Sequence, residues 1–453
     1  LQGEVCCYRI LNHMDFVETI VAISTPPGAG GVGIIRLSGP RAIELGRTLF
    51  RTTPPLGSRT RRVEYGKVYA RGCEVDTGLA WTFEKPHSYT GEDTVEISCH
   101  GSPLILEIVV NEAIKQGARL AEAGEFTRRA FLNGRLDLLQ AEAVIDLIQA
   151  GSEAGLEDAY GLAGGRLSAE VRRLKAGLVR VLSRVEVGLD FSDEDIDATS
   201  QTEIVEDLRR TLVHAKQLAD SFTAGLRRQQ GYLVVLTGRP NVGKSTLLNN
   251  LLDEDRAIVT PIPGTTRDLV EGKTSWQGRP IRIVDTAGMR DSSDPIEREG
   301  INRACKVMAE ADLVIVVGDA SAGWSEEDER LVESHDSDRC LVVLNKMDLP
   351  RLSELDDLIH STRTVVEISA LTGSGKDLLI QKILDMLPYD HTANGMVLTR
   401  QRHQDCISRM VNHAETAFEM IGAGEPDECI AVELQDGLVS LGELLGEDVG
   451  DDL

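Results

Sequence analysis

The sequence has no run approaching the ~18 consecutive apolar residues needed to cross a bilayer, so it contains no candidate membrane helix. Residues 1–15 lack the unbroken apolar stretch and small-residue cleavage site of a secretory signal, and Arg9 and His13 interrupt what apolar pattern there is. Met14 is the expected natural start, the preceding residues being an upstream read-through or a cloning remnant. Eight cysteines (Cys6, Cys7, Cys73, Cys99, Cys305, Cys340, Cys406 and Cys429) form no CxxC pair and no regular spacing. That excludes a zinc framework or a disulfide scaffold and leaves reduced thiols of a cytosolic protein. Positive charge is also short: 48 Lys and Arg against 73 Asp and Glu leave a net charge of −25. Such a chain does not grip phosphate backbones over a broad surface, although a local patch or a partner protein could still present a nucleic acid. There is no internal repeat and no low-complexity tract.

What is there fits a soluble multidomain protein. A length of 453 residues implies two to four domains, and 42% hydrophobic with 27% charged residues is a globular balance. Three textures follow one another. Thr19 to about Arg128 mixes short apolar runs with turns: TIVAIST and GVGIIRLSG flank a Pro-Gly-rich turn at residues 26–31, DTVEISCHG is a further strand, and Pro103 to Lys115 reads as a helix. This is an α+β domain. From Leu136 to about Leu226, Leu, Ala, Glu and Arg recur at helical spacing, and a second helical stretch covers about Thr399 to Leu445. Neither stretch looks self-sufficient, so the two are expected to pack together around an inserted domain. The insert, about Gly231 to Pro388, alternates β-branched strands with helices, which predicts a doubly wound, mostly parallel sheet. The fold class is therefore multidomain α/β, with expected boundaries 15–135, 136–230, 231–388 and 389–453.

The insert carries a nucleotide site. Gly238-Arg239-Pro240-Asn241-Val242-Gly243-Lys244-Ser245 joins an apolar strand to the helix that begins with Ser245 and Thr246. Glycines there let backbone N–H groups curl around a β-phosphate, Lys244 bridges β- and γ-phosphates, and the Ser245 hydroxyl suits Mg²⁺. Asp285-Thr286-Ala287-Gly288 ends another strand, placing a carboxylate for Mg²⁺ and the Gly288 amide for the γ-phosphate. Asn345-Lys346-Met347-Asp348 selects the base, because the Asp348 carboxylate accepts paired hydrogen bonds from guanine N1 and its 2-amino group. Ser369-Ala370-Leu371 ends the last strand, where backbone amides could meet guanine O6. In Gly264-Thr265-Thr266-Arg267-Asp268 a threonine can complete the Mg²⁺ shell only with the γ-phosphate present. Arg267 is either a transition-state charge stabiliser or a surface arginine. The acidic run Asp193-Glu194-Asp195-Ile196-Asp197 reads as a solvated loop. On these motifs the chain binds and hydrolyses GTP.

Together with TPPGAGGVGIIRLSG, SYTGEDTVEISCHG, GEFTRRAFLNGRLDLLQAEAV and LTRQRH, these motifs make nearly the whole chain resemble the MnmE (TrmE) family of tRNA-modifying GTPases. The resemblance implies an N-terminal folate-binding domain that also forms a homodimer. It also implies an MnmG-type flavin partner, with which the chain builds a methyl-linked amine at C5 of the wobble uridine of tRNA. Hydrolysis would be driven by K⁺-dependent dimerisation of the GTPase domains. Carried over by position, Asn241 would ligate K⁺, with backbone groups of Thr260, Ile262 and Thr265 completing its shell; Thr266 would sit on Mg²⁺, and Glu297 would orient the attacking water. Arg36, Glu96 and Arg135 match the family's reduced-folate contacts, the folate being a 5,10-methylene- or 5-formyl-tetrahydrofolate. Read without the family, Asn241 is an ordinary turn residue, Glu297 a helix-start glutamate, and the folate trio plain surface charges. Members end in a Cys-Ile-Gly-Lys tail whose cysteine the modification requires; the sequence given stops at Asp451-Asp452-Leu453, and Cys429 is not that cysteine's counterpart. The competing reading is a GTPase switch in ribosome assembly that binds RNA without modifying it.

Overall fold

The structure is a computed structural model, and it describes residues 18–57, 62–150, 152–190, 198–252, 270–285, 307–351, 364–388 and 398–447. It divides into two compact units, Leu1–Ile145 and Asp146–Leu453.

The first unit is built on a seven-stranded sheet. Its strands are β1 (Ile20–Ile23), β2 (Gly30–Ser38), β3 (Phe50–Arg51), β4 (Glu64–Ala70), β5 (Cys73–Phe83), β6 (Thr94–Gly101) and β7 (Arg119–Leu120). They lie in the order β3-β4-β5-β6-β2-β1-β7. All neighbours are antiparallel except β1 and β7. The two strands read on either side of the Pro-Gly turn do pair, Ile20 opposite Ser38 and Ile23 opposite Ile35. Helices α1 (Ala42–Leu49) and α2 (Pro103–Lys115) cover one face, burying Leu45, Leu49, Leu106 and Val109 against Val21, Ile35, Leu37, Val95 and Ile97. Proline at the first turn of α2 costs no hydrogen bond there, which is why the helix begins where the sequence suggested. Helix α3 (Glu125–Leu132) follows β7.

The second unit joins helices to a parallel sheet. After α4 (Leu138–Gln149), which spans the division, come α5 (Glu153–Ala163), α6 (Arg166–Asp190), α7 (Ala198–Asp220) and α8 (Phe222–Gln230). The sheet comprises β8 (Tyr232–Thr237), β9 (Val270–Trp276), β10 (Arg279–Asp285), β11 (Leu313–Asp319), β12 (Cys340–Asn345) and β13 (Val365–Glu367), in the order β13-β12-β11-β8-β10-β9. Helices α9 (Lys244–Leu252), α10 (Glu326–Glu333) and α11 (Lys376–Met386) belong to the same segment. Neighbouring strands run parallel except β9 with β10, a hairpin turned at Gln277 and Gly278. Strands β8, β11 and β12 are buried along their entire length, as central strands covered on both faces must be. The last helices, α12 (Gln401–Ala423) and α13 (Asp427–Leu445), pack on each other, α13 against α6 and α12 against α7. The two helical stretches thus do pair across the intervening segment, because each buries an apolar face that its own neighbours leave uncovered.

Among the described residues, no helix is long and apolar enough to cross a membrane.

Candidate functional site: four loops at one end of the parallel sheet

Among the described residues, the phosphate loop, Asp285 and the two base-side loops lie at the carboxyl ends of strands, where doubly wound sheets hold ligands. The loop after β8 is shaped by two glycines. Gly238 has φ +137°, and a Cβ there would stand 2.3 Å from the Val317 carbonyl; Gly243 has φ +100°, and its Cβ would meet Asn345 Nδ2 at 2.3 Å. Side chains are excluded at both points, which keeps the loop backbone against its neighbours. Asn241 also takes a positive φ, 62°, which Asn tolerates better than most residues. Lys244 is buried and folds back on its own loop, its Nζ donating to the carbonyls of Gly238 (2.6 Å) and Arg239 (2.7 Å).

Ser245 opens α9 and points across to β10, where its Oγ donates to Asp285 Oδ2 at 2.7 Å. Asp285 itself is 2% exposed. A hydroxyl and a carboxylate brought together at the foot of a phosphate loop form a hard oxygen donor pair. No cluster of three or more His, Cys, Asp or Glu suited to a metal occurs among the described residues.

The base-side loops are cross-linked by one amide. Asn345 donates from Nδ2 to Val242 O (2.8 Å) and accepts the Ala370 N–H at Oδ1 (2.9 Å), so it ties the phosphate loop to the loop after β13. Lys346, at φ 67°, reaches back to Asp319 Oδ2 at the end of β11 (2.5 Å). Burial pushes the Asp319 carboxyl up, but the Lys346 ammonium and the Ser321 hydroxyl and N–H outweigh it and hold it below the usual range. Asp348 accepts from Ser369 Oγ at 2.6 Å, which fixes one of its oxygens. Ala370 is buried and Leu371 is exposed. So Gly238, Asn241, Val242, Gly243, Lys244, Ser245, Thr246, Asp285, Asn345, Lys346, Asp348, Ser369, Ala370 and Leu371 are brought to one end of the sheet. Thr260, Ile262, Thr265, Thr266, Arg267, Gly288 and Glu297 lie outside the described residues, as does the acidic run from Asp193 to Asp197.

Three residues of this end were given no role by the sequence motifs. Arg239 forks onto the buried Asp328 of α10, Nε to Oδ1 at 3.0 Å and Nη2 to Oδ2 at 2.8 Å, and also donates to Gly323 O. It is a strut for the loop, not a phosphate ligand. Asp319 positions Lys346, and Asn250 on α9 donates to Ala370 O at 3.1 Å. A polar residue at a strand end or on the inner side of the loop helix was the only available signal.

In the first unit, Arg36 and Glu96 face each other across β2 and β6 and pair at 2.6 Å. Glu96 takes a second donor from Trp81 Nε1 at 2.9 Å, and the Arg36 guanidinium stands over the rings of Tyr89 (5.6 Å) and Phe126 (5.5 Å). Arg135 does not join the pair. It lies beside Gly91, its Cγ 3.3 Å from where a Cβ on that glycine would be, and it is exposed. The Arg36–Glu96 ion pair and the rings of Trp81, Tyr89 and Phe126 form one cluster; sequence reasoning missed the aromatics because they come from three different segments.

Residues 19–135 match the family model described as the N-terminus of GTP-binding protein TrmE, and residues 138–453 match the MnmE helical domain. Among curated proteins, the tRNA modification GTPase MnmE of Geobacter sulfurreducens is 42% identical over 443 residues, spanning 96% of both chains. The protein of the same description from Chloroflexus aurantiacus is 41% identical over 96% of this chain and 97% of its own. That from Symbiobacterium thermophilum is 40% identical over 96% and 97%. Matches of this extent and identity, on a chain with a phosphate loop and a guanine-type base loop at one sheet end, place it: the chain belongs to the MnmE (TrmE) family of tRNA modification GTPases.

Proposed function

We propose that the chain binds GTP across the four loops, hydrolyses it, and couples that hydrolysis to C5 modification of wobble uridine in tRNA. The observation that carries the reading is the Asn345 amide, whose two ends join the phosphate loop to the base loop. With those loops joined, Lys244 would leave its two carbonyl partners for β- and γ-phosphate oxygens, positioning them for in-line attack. Mg²⁺ would be held by Ser245 and, through water, by Asp285, with Thr266 completing its shell; it would offset charge between the β- and γ-phosphates. Glu297 would orient the water. K⁺, ligated by Asn241 and backbone groups of Thr260, Ile262 and Thr265, would supply the positive charge that an arginine finger supplies elsewhere. The Arg36–Glu96 pair and Arg135 would receive the pterin and carboxylate of a reduced folate, the one-carbon donor. An MnmG-type flavin protein would supply the redox half, within an assembly built on a homodimer, in the cytoplasm. Such a partner also answers the charge problem, since a chain of net charge −25 is poorly suited to hold tRNA alone.

Base choice tests the site. GTP should bind more tightly than ATP by a factor of about 10³ or more, because Asp348 would lose two donors. Asp348→Asn should weaken GTP and admit xanthosine triphosphate, whose 2-oxo group suits an amide donor. Equal affinity of the wild type for ATP and GTP, measured by calorimetry, would remove the guanine assignment.

A further inference from the structure

The phosphate loop and the base loop are bridged a second time, by a residue outside every nucleotide motif. Asn250 sits on α9, on the helix that Lys244 and Ser245 begin, and is half-buried while its neighbour Asn249 is exposed. Its Nδ2 donates to Ala370 O at 3.1 Å, and its own carbonyl accepts from Lys376 Nζ at 2.5 Å, at the start of α11. Asn250 is therefore fastened at both its backbone and its side chain.

The consequence lies in the peptide between Ala370 and Leu371. A trans peptide is planar, with C=O and N–H pointing opposite ways, so a donor that holds Ala370 O also fixes the direction of the Leu371 N–H. The preceding peptide is held separately, because the Ala370 N–H donates to Asn345 Oδ1 at 2.9 Å. The Leu371 side chain cannot fix its own peptide, being 78% exposed. Further along, the loop is closed by Ser369 N to Ser374 O and Gly373 N to Ser369 O, which clamp its ends but leave the 370–371 unit to Asn250. With Ser369 on Asp348, the base side of the site is then set by three side chains: Asp348 for the N1 and 2-amino edge, Asn345, and Asn250.

We infer that Asn250 is a positioning residue for base recognition: it aims the Leu371 amide at the 6-oxo group of the purine, from the helix whose first turn serves the phosphates. This rests on the guanine reading of the site given above. Asn250 touches no part of the nucleotide; it acts through one peptide plane. A rigid helix shared by phosphate and base ends also means that the 6-oxo contact is in place before the nucleotide arrives, so it is not ordered at the cost of binding energy.

The test uses the full chain and four nucleotides: GTP, ITP (6-oxo kept, 2-amino lost), 2-aminopurine riboside triphosphate (2-amino kept, 6-oxo lost) and ATP. Asn250→Ala should weaken GTP and ITP by the same factor, about tenfold for one hydrogen bond lost to a neutral acceptor. It should leave the 2-aminopurine nucleotide within about twofold of wild type. Asn250→Asp keeps the shape and removes the donor, and should reproduce the pattern if the alanine variant folds poorly. Equal loss for all four nucleotides would reduce Asn250 to a packing role, and no loss for any would remove the proposal altogether. If instead the wild type fails to prefer GTP to the 2-aminopurine nucleotide and to ATP, the guanine site itself is wrong, an outcome visible before any variant is made.

Discussion

Glu125 shows how one buried carboxylate can carry pH dependence. It is 1% exposed and takes four donors: Arg119 Nη2 (2.5 Å), Arg119 Nη1 (3.1 Å), Arg129 Nη2 (3.1 Å) and the Glu122 N–H (2.8 Å). Burial alone would raise its pKa, but the Arg119 guanidinium, the Glu122 amide and Arg129 overcome that and hold it at about 2. A carboxylate depressed on folding contributes its full stability above its unfolded pKa, about 4.3, and loses it as pH falls towards 2, on the order of 3 kcal/mol in all. Glu125→Gln should therefore lower hydrogen-exchange protection of residues 18–135 at pH 7, and the gap to wild type should close as pH falls from about 4.5 to 2. A gap that stays constant with pH would mean that Glu125 acts by packing alone. At this scale the nucleotide motifs were legible because their chemistry needs given residue types at short, fixed offsets from a strand end. Arg239 and Asn250 were not, since their partners Asp328 and Ala370 lie 89 and 120 residues away.

Elements were readable where a local rule and burial agreed. Helix α2 runs Pro103–Lys115 as read, because proline at its first turn and an apolar stripe both favour it. Strand β9 escaped, since VEGKTSW is polar and at the sheet edge, and only the turn at Gln277 (φ 51°) and Gly278 (φ 80°) marks the hairpin. Strands β4 and β5 escaped likewise; one face of each is open, so their apolar alternation is incomplete. Helix glycines can be sorted in the same way. On α6, a Cβ at Gly177 would stand 2.5 Å from Thr211 Oγ1 of α7, a hydroxyl already committed to Asp207 O at 2.9 Å. On α12, a Cβ at Gly422 would meet nothing within 4 Å. The same substitution should therefore have opposite signs. Gly422→Ala should stabilise by about 0.5–1 kcal/mol through helix propensity, and Gly177→Ala should destabilise by about 1–3 kcal/mol through overpacking. Denaturant midpoints that move in the same direction for both would contradict the close contact of α6 and α7.

At the scale of the whole molecule, the connectivity of the second unit makes the strongest claim. The chain returns beside the junction of α7 and α8: the Leu398 N–H donates to Ser221 Oγ at 3.2 Å, across 177 residues of sequence, and Leu398 is fully buried. Between them, α8 is fastened on both sides, Arg228 to Asp158 of α5 at 2.9 Å and Arg227 to Asp312 at the start of β11 at 2.8 Å. The core of the bundle draws on α6 and α7 from before the sheet and on α12 and α13 from after it. The sheet segment is therefore expected to be an insertion that the bundle does not need for its own closure. Deleting 231–397 and joining Gln230 to Leu398 tests this. Helix α8 has nine residues, so its far end lies about 13 Å from its start at 1.5 Å per residue. A Gly-Ser linker of about eight residues, reaching about 26 Å at most, spans that return comfortably. The shortened chain should unfold cooperatively with helical circular dichroism, and residues 166–190 and 401–445 should keep slow hydrogen exchange together. Protection lost in 401–445 but kept in 166–190 would show that the sheet holds the returning helices in place, and that the bundle is not a body of its own.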